Sequence, residues 1–484
     1  MRQLSQSLAA NLAVLDKMFG TSADYYAKEI TIYHCRGSIL LFDGMASLDS
    51  LWELLLDAAS RQAPPQQAGQ RCTGPQVFEL ILHGSAFPAE SEPVTDLADL
   101  VKRMTAGMAV LLLDGCAKGI AFSVQGLKFR SVDEPSGEGN LRGSREGFAD
   151  LLRVNLSLRL IRTEHLVQEV AQADTEMQTE YAICYCKNRA DSAMVIRVRK
   201  ALAAAKPELL LDSSYFVPWL LPGKARLFTP VSYTERPAVA AAKICEGKIV
   251  VLVNGSPSAM VLPALFCENF ECLDDYASTA VFSSFLRILK YVSFYLTVFL
   301  PGVFVCLAVY LPELIPPQLL YKIEAAEKAT PLPLFAEMLL VILILEVIRE
   351  AGLRMPQSLG HSVSLVSALI IGDAAIATGL MSTPVIFVAS ITAIAVFVTP
   401  SLYEPATLLR LGVVLAAGLA GPVGLAGAFF AVLLSLSGTA CLQVPYLAAH
   451  PFPQRPMEED GIIRRNYRRL SAHDFNIWQK REGK

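Results

Sequence analysis

Asp373 is the single formal charge between Met355 and Tyr403, and its neighbours Gly372, Ala374, Ala375, Ala377 and Gly379 are all small. A lone charge at the centre of a spanning helix costs at least ~2.5–3.5 kcal/mol, while small residues let helices approach closely. Asp373 is therefore expected to face protein or water. Two roles fit it: a carboxylate on an ion pathway, or a hydrogen-bond acceptor near a helix end. A second charged set precedes it. Glu346, Arg349, Glu350 and Arg354 stand at i,i+3 and i,i+4 spacing, which puts opposite charges side by side on one helix. They read as a self-neutralised interfacial helix end or, together with Glu337 of the same stretch, as a gate or inter-subunit contact. The third set is Tyr233, Glu235, Arg236 and Pro237. Pro237 disfavours helix at Arg236, so Glu235 and Arg236 are presented at a turn where they can pair with a neighbouring subdomain or subunit. The run is a structural junction or a signalling contact.

The elements that must hold these residues follow from charge and hydropathy. Among 484 residues only 18% are charged and 53% are hydrophobic, and no charge occurs over 291–312 or 411–454. Residues 1–280 carry charge throughout. One chain is written for water and then for lipid. Five apolar stretches follow residue 290: 291–310, 334–348, 362–380, 383–399 and 411–436. Arg287 and Lys290 before the first stretch, and Arg464, Arg465, Arg468 and Arg469 after the last, predict that both ends lie in the cytoplasm. An even number of crossings is then required. The short, acidic second stretch is assigned to an interfacial or re-entrant helix, which leaves four spans. The alternative is that one of the two segments around Ser382 fails to span.

The water-soluble part reads as a duplicated α/β unit. Apolar runs at 29–42, 109–126, 181–185 and 248–266 are strands, and Asp114-Gly115 and Asn254-Gly255 are hairpin turns. In each half a strand leads to a helical run (47–59 and 192–204) and, about seventy residues on, to a hairpin. The fold class is thus an α/β cytosolic region of two related subdomains followed by an all-α polytopic membrane domain. The expected organisation is an amphipathic starter helix at 1–20, α/β subdomains at 21–145 and 165–280, a linking helix at 146–164, a membrane domain at 281–450 and a basic cytoplasmic tail at 451–484.

Several classes are disfavoured. A net charge of −3 gives no global basic field for nucleic acid. The ten cysteines lack C-x-x-C spacing and read as buried thiols of a reducing compartment. His34, His83 and His165 are isolated, and Ser136-Gly137-Glu138-Gly139 lacks the strand-before, helix-after context of a phosphate loop. No acid/base or nucleophile set converges, so no enzyme, cofactor or metal is expected. A carrier would show inverted repeats, which 290–437 does not.

The runs Gly143-Ser144-Arg145-Glu146-Gly147-Phe148, Tyr233-Thr234-Glu235-Arg236-Pro237, Glu246-Gly247-Lys248-Ile249-Val250-Val251-Leu252-Val253-Asn254-Gly255-Ser256-Pro257, Ser284-Phe285-Leu286-Arg287, Arg349-Glu350-Ala351-Gly352-Leu353-Arg354-Met355-Pro356, Ile371-Gly372-Asp373-Ala374-Ala375 and Val444-Pro445-Tyr446-Leu447 occur in this order. Together they resemble the A subunit of the GerA-type spore germination protein family. Asn254 stands where the family has Asp, and Gln443 where it has Gly. The short N-terminal segment leaves stage V sporulation protein AF, a relative of the same architecture, as an alternative. The resemblance implies a homo-oligomeric subunit in the inner membrane of a bacterial spore. It would work with a permease-like B subunit that holds the germinant and with a C-type lipoprotein, and conduct ions when nutrient binds. A non-conducting scaffold is the second possibility. In the channel context Asp373 and the hydroxyls of Ser362, Ser367 and Thr392 become pore candidates. Ser362 lies about three turns before Asp373 on its face and Ser367 roughly a third of a turn away; none of the three hydroxyls belongs to a family motif.

Overall fold

The computed structural model describes residues 3–20, 22–32, 35–43, 73–83, 91–122, 135, 137–140, 142–158, 161, 163–174, 178–221, 226–354, 374–447 and 461–465. They divide into two compact units, one formed within 1–223 and 231–263, the other within 224–230 and 264–474.

The first unit holds two five-stranded antiparallel sheets. Helix α1 (Leu8–Phe19) leads to β1 (Tyr25–Ile32) and β2 (Cys35–Phe42), α2 (Gly74–His83), β3 (Ser91–Val94), α3 (Leu97–Thr105), β4 (Ala109–Leu113) and β5 (Gly119–Phe122). The order repeats with α4 (Leu152–Ser157), β6 (Leu166–Gln172), β7 (Glu180–Cys186), α5 (Ser192–Ala204), β8 (Ser232–Thr234), α6 (Pro237–Cys245), β9 (Ile249–Val253) and β10 (Ala259–Leu262). The sheets have the same strand order, β1-β2-β4-β5-β3 and β6-β7-β9-β10-β8. Both glycines of the hairpin turns have positive φ, 78° at Gly115 and 95° at Gly255, a conformation glycine adopts without cost.

Alternation along the strands builds the cores. On the first sheet Ile39 and Leu41 face Val77, Phe78 and Ile81 of α2. Leu40 and Phe42 face Leu15 and Phe19 of α1 and Leu100 and Met104 of α3. On the second sheet Cys184, Cys186, Val250 and Leu252 pack with Leu152 and Leu156 of α4 and Ala240 and Ile244 of α6. Burial pushes the Cys184 thiol up to about 12, so it is held as an inert thiol.

Two expectations are corrected here, and a third lies outside the described residues. The run 29–42 is not one strand: β1 and β2 form a hairpin, with Ile32 opposite Cys35. The linking helix expected over 146–164 is only the six residues of α4. It holds in the second copy the place of α1 in the first, because Phe148, Leu152 and Leu156 bury against the sheet instead of bridging two bodies. The helical run at 47–59 lies outside the described residues.

The second unit is helical: α7 (Ala280–Tyr310), α8 (Pro317–Lys328), α9 (Leu334–Arg354), α10 (Thr383–Val396) and α11 (Tyr403–Gly438). Among the described residues two runs are long and apolar enough to cross a bilayer, Ala280–Tyr310 and Pro400–Gly438. Pro301-Gly302 does not break α7. A Cβ at Gly302 would stand 2.6 Å from Val413, so the glycine lets α11 lie close to α7. The stretch 334–348, expected as an interfacial or re-entrant piece, is part of a continuous 21-residue helix, about 31 Å long at 1.5 Å per residue. Leu334, Met338, Val341 and Ile342 are buried against Val385 and Ala389 of α10. A fold-back occurs in α11, in the stretch 411–436, whose glycines suggest a tightly packed or bent helix near Gly421-Pro422. Gly421 has φ 57° and ψ −135°. A Cβ at Gly424 would collide with the carbonyl oxygen of Ala416, although residues eight apart in a straight helix are separated by about 12 Å. Ala406 and Leu409 share one apolar cluster with Val432 and Leu436. Helix α11 is thus two legs, broken at Gly421-Pro422 and packed side by side.

Candidate functional site

Within the first unit the run from Tyr233 to Pro237 ends edge strand β8 and starts α6. Pro237 occupies the first helical position, where its missing N–H costs nothing. Arg236 is 1% exposed. Its Nε donates to the carbonyl of Glu138 at 2.8 Å and its Nη1 to the carbonyl of Ser144 at 2.8 Å. The carbonyl of Glu235 accepts from Phe148 N–H at 2.7 Å, and the Thr234 hydroxyl donates to the Glu138 carboxylate at 2.9 Å. Burial raises the Glu138 carboxyl above its ordinary value, against the Thr234 hydrogen bond and the Arg236 charge. Arg236 therefore staples the segment between the two copies onto the second sheet. Tyr233 is 39% exposed and is the one member of the run that presents a large apolar surface outward.

In the second unit the five candidate gate residues fall into three places. Glu337, in the first turn of α9, is fully buried. One carboxylate oxygen accepts from Ser382 N–H at the start of α10, where a helix N-terminus favours negative charge; the other oxygen has no hydrogen-bond partner among the described residues. Two to three turns on, Glu346 accepts from Arg410 and from the Tyr403 hydroxyl of α11, with the Thr407 hydroxyl at 3.5 Å. Arg349 lies over the Tyr403 ring and 5.9 Å from the centre of Phe397. Glu350 and Arg354 pair at 2.6 Å on the exposed end of α9. Glu350 thus takes its ion-pair partner, Arg354, from its own helix, whereas Glu346 takes Arg410 from another helix and keeps Arg349 of its own helix within its field. Thr392 is fully buried, and its hydroxyl donates to the Val388 carbonyl at 2.7 Å, the usual fate of a threonine inside an apolar helix. Asp373, Ser362 and Ser367 lie outside the described residues.

Sequence reasoning missed Arg410 and Tyr403, and the cluster at the entry of α7. There Arg287 Nε donates to Asp275 at 3.1 Å with both side chains buried. Its Nη1 donates to the Gly461 carbonyl at 2.7 Å. Arg464 N–H donates to the Ser284 hydroxyl at 2.9 Å, and its guanidinium donates to the Ser278 carbonyl at 3.0 Å and lies 5.2 Å from the Tyr276 ring centre. The signal was present: Arg464 heads the basic tail, and Ser284 and Arg287 belong to a quoted motif.

Comparison with known proteins adds the family. A family model described as the Bacillus/Clostridium GerA spore germination protein matches residues 13–474. Spore germination protein KA of Bacillus subtilis (strain 168) is 29% identical over 466 residues, covering 95% of this chain and 84% of the relative. Stage V sporulation protein AF of the same organism is 28% identical over 435 residues, covering 88% and 86%. The crystal structure of the N-terminal domain of the A subunit of the Bacillus megaterium spore germinant receptor GerK3 aligns at TM-score 0.44 and 22% identity, covering 55% of this chain and 97% of that domain. With the family match running through both units, the chain belongs to the GerA family of spore germination proteins.

Proposed function

We propose that this chain is the A subunit of a spore germinant receptor: a homo-oligomeric, nutrient-gated ion channel subunit of the spore inner membrane, acting with a permease-like B subunit and a C-type lipoprotein. The observation that carries the reading is the family match across residues 13–474. It covers the sheet-bearing unit and the apolar helical unit together, so the two are inherited as one device. The cytosolic unit is the assembly module. The helical unit carries the ion pathway, with Asp373 as its carboxylate, and both termini lie in the cytoplasm. Hydrogen bonds from Arg464 to Ser284 and from Arg287 to the Gly461 carbonyl support that orientation, because they bring the tail to the entry of α7. Nutrient binding to the complex shifts a closed ring towards an open one, which requires that partner contacts differ between the two states. Potassium release from spores carrying Asp373→Asn at wild-type protein level tests the reading. Reduced nutrient-triggered efflux is expected, and unchanged efflux removes Asp373 from the pathway.

A second reading rests on stage V sporulation protein AF, which at 28% identity stands level with the receptor-type relatives. In it the chain is a non-conducting sporulation membrane protein that couples or amplifies germination signals. Neighbouring reading frames separate the two: a ten-span permease and a lipoprotein alongside belong to the receptor.

A further inference from the structure

Helices α9 and α11 enclose a charge imbalance. Among the described residues three guanidiniums, Arg349, Arg354 and Arg410, share two carboxylates, Glu346 and Glu350: Arg410 pairs with Glu346, and Arg349 lies over the Tyr403 ring within the field of both carboxylates. Glu350, the nearest further carboxylate on α9, is committed to Arg354 in an exposed pair. Arg410 is 3% exposed. Two of the guanidinium N–H groups, Nη1 of Arg349 and Nε of Arg410, are buried and have no hydrogen-bond partner among the described residues. Buried donors of charged groups are costly to leave unmade, and an unmatched positive charge between apolar helices costs more. Tyr403 ties the arrangement together: its hydroxyl donates to Glu346 while its ring underlies Arg349. Both cations are therefore held in place before any ligand arrives.

We propose that Arg349 and Arg410 form a binding site for a phosphate-bearing anion, with Glu346 and Tyr403 as the residues that position them. Planar guanidinium forks match phosphate oxygens and keep their charge at every physiological pH. The site sits at the end of α9 where Glu350 and Arg354 are exposed. Basic sites between helices suit phospholipid head groups, and the phosphodiester of an anionic lipid is the ligand this position at a helix end favours. The choice of a lipid source rests on the membrane reading of the helical unit; the anion site itself does not.

The test uses the full chain purified in detergent. Native mass spectrometry counts adducts of phosphatidylglycerol and of phosphatidylcholine, and the count is repeated with inorganic phosphate as competitor. Phosphatidylglycerol is expected to be retained over phosphatidylcholine, and Arg349→Gln to lower its occupancy about tenfold, the loss of one charge-assisted hydrogen bond, with helical circular dichroism unchanged. Arg410→Gln alone strands Glu346, so it is combined with Glu346→Gln, and this double variant should lose the adduct as well. Displacement by inorganic phosphate without lipid retention keeps the site and assigns it to a free anion. Equal retention by the parent, Arg349→Gln and the double variant, with no effect of phosphate, overturns the proposal.

Discussion

Asn11 and Asn155 make the same pair of hydrogen bonds in the two halves of the first unit. Asn11 Oδ1 accepts from Ser5 N–H at 2.9 Å and its Nδ2 donates to the Ser5 carbonyl at 2.7 Å. Asn155 does this with Ala149 at 2.7 and 2.6 Å. Each asparagine stands in the first helix of its copy and satisfies the peptide six residues back. The hairpin turns answer in kind: Leu8 N–H donates to Asp114 Oδ1 at 3.1 Å, and Leu152 N–H to Asn254 Oδ1 at 3.0 Å. Gly115 N–H reaches the Gln6 carbonyl, and Gly255 N–H the Asp150 carbonyl. The duplication is thus written in polar contacts, and Asn254, where the family has Asp, retains the acceptor the turn requires.

Alanine at either asparagine should be destabilising, because it removes two hydrogen bonds worth about 0.5–1.5 kcal/mol each. Asn155 is fully buried and Asn11 is 7% exposed, so Asn155→Ala should cost more. Hydrogen exchange of the peptide spanning 149–157, compared with that spanning 5–13, checks the order. Equal protection in both variants and the parent would remove the clamp from the stability of the fold.

The junction at Arg236 predicts a pH dependence through Glu138. Burial raises the Glu138 carboxyl, so the folded state holds that proton more tightly than the unfolded chain. The contribution to stability is complete below the ordinary carboxylate pKa of about 4.3 and is lost as pH rises through the raised folded value. Glu138→Gln keeps a partner for the Thr234 hydroxyl and removes the titration. Its melting temperature should therefore fall less than the parent's between about pH 4 and pH 7. Parallel profiles would show that Glu138 is not the group responsible. Arg236→Met should instead lower stability at every pH by roughly 2–4 kcal/mol, since two carbonyls lose a charged donor.

What the sequence made legible and what it hid divide along physical lines. Asp114-Gly115 and Asn254-Gly255 announce hairpins because the glycine there takes a positive φ and the preceding side chain supplies a turn acceptor. The short edge strands β3 and β8 stayed invisible: Ser-Glu-Pro-Val and Ser-Tyr-Thr owe their conformation to the neighbour β5 or β10. Helix α4 was drawn too long because apolar periodicity ignores the turn that Asn155 enforces. In the helical unit composition locates apolar runs and Gly421-Pro422 marks a bend, yet the full reversal there and the cross-helix partner of Glu346 depend on tertiary contact. Arg410, at the very edge of a charge-free run, was the signal that a buried carboxylate needed an answer.

The glycines of α11 are not equivalent, and substitution should show it. A Cβ at Gly421 would lie 2.8 Å from the Tyr310 ring on a backbone with φ 57°, and one at Gly424 would strike the Ala416 carbonyl. At Gly427 none of the described residues lies within 4 Å of a Cβ. Gly424→Ala should therefore abolish the fold-back and deplete the protein from the membrane fraction. Gly427→Ala should be neutral or slightly stabilising, by up to about 1 kcal/mol of helix propensity. Immunoblots of the two variants at equal transcript level decide between this and a simple glycine seam, which would predict equal sensitivity.

Gln443 offers a gain of stability. It sits with Leu442 in the two-residue turn between Ala440–Cys441 and Val444–Pro445, at φ 75° and 52° respectively. Both residues are left-handed, as the favoured short hairpin turn demands, and the family has Gly at the second. A side chain there costs about 1–2 kcal/mol. Glycine removes that strain but adds roughly 0.5–1 kcal/mol of chain entropy to the unfolded state. Gln443→Gly should therefore stabilise by about 0.5–1 kcal/mol. The turn is tied inward, since Tyr446 N–H donates to the Thr439 carbonyl and Phe266 N–H to the Tyr446 carbonyl, both at 2.9 Å. Tighter closure should slow amide exchange at Phe266 as well as raise the melting temperature of the detergent-solubilised chain. A lower melting temperature would mean that the Gln443 side chain makes contacts worth more than the strain it bears.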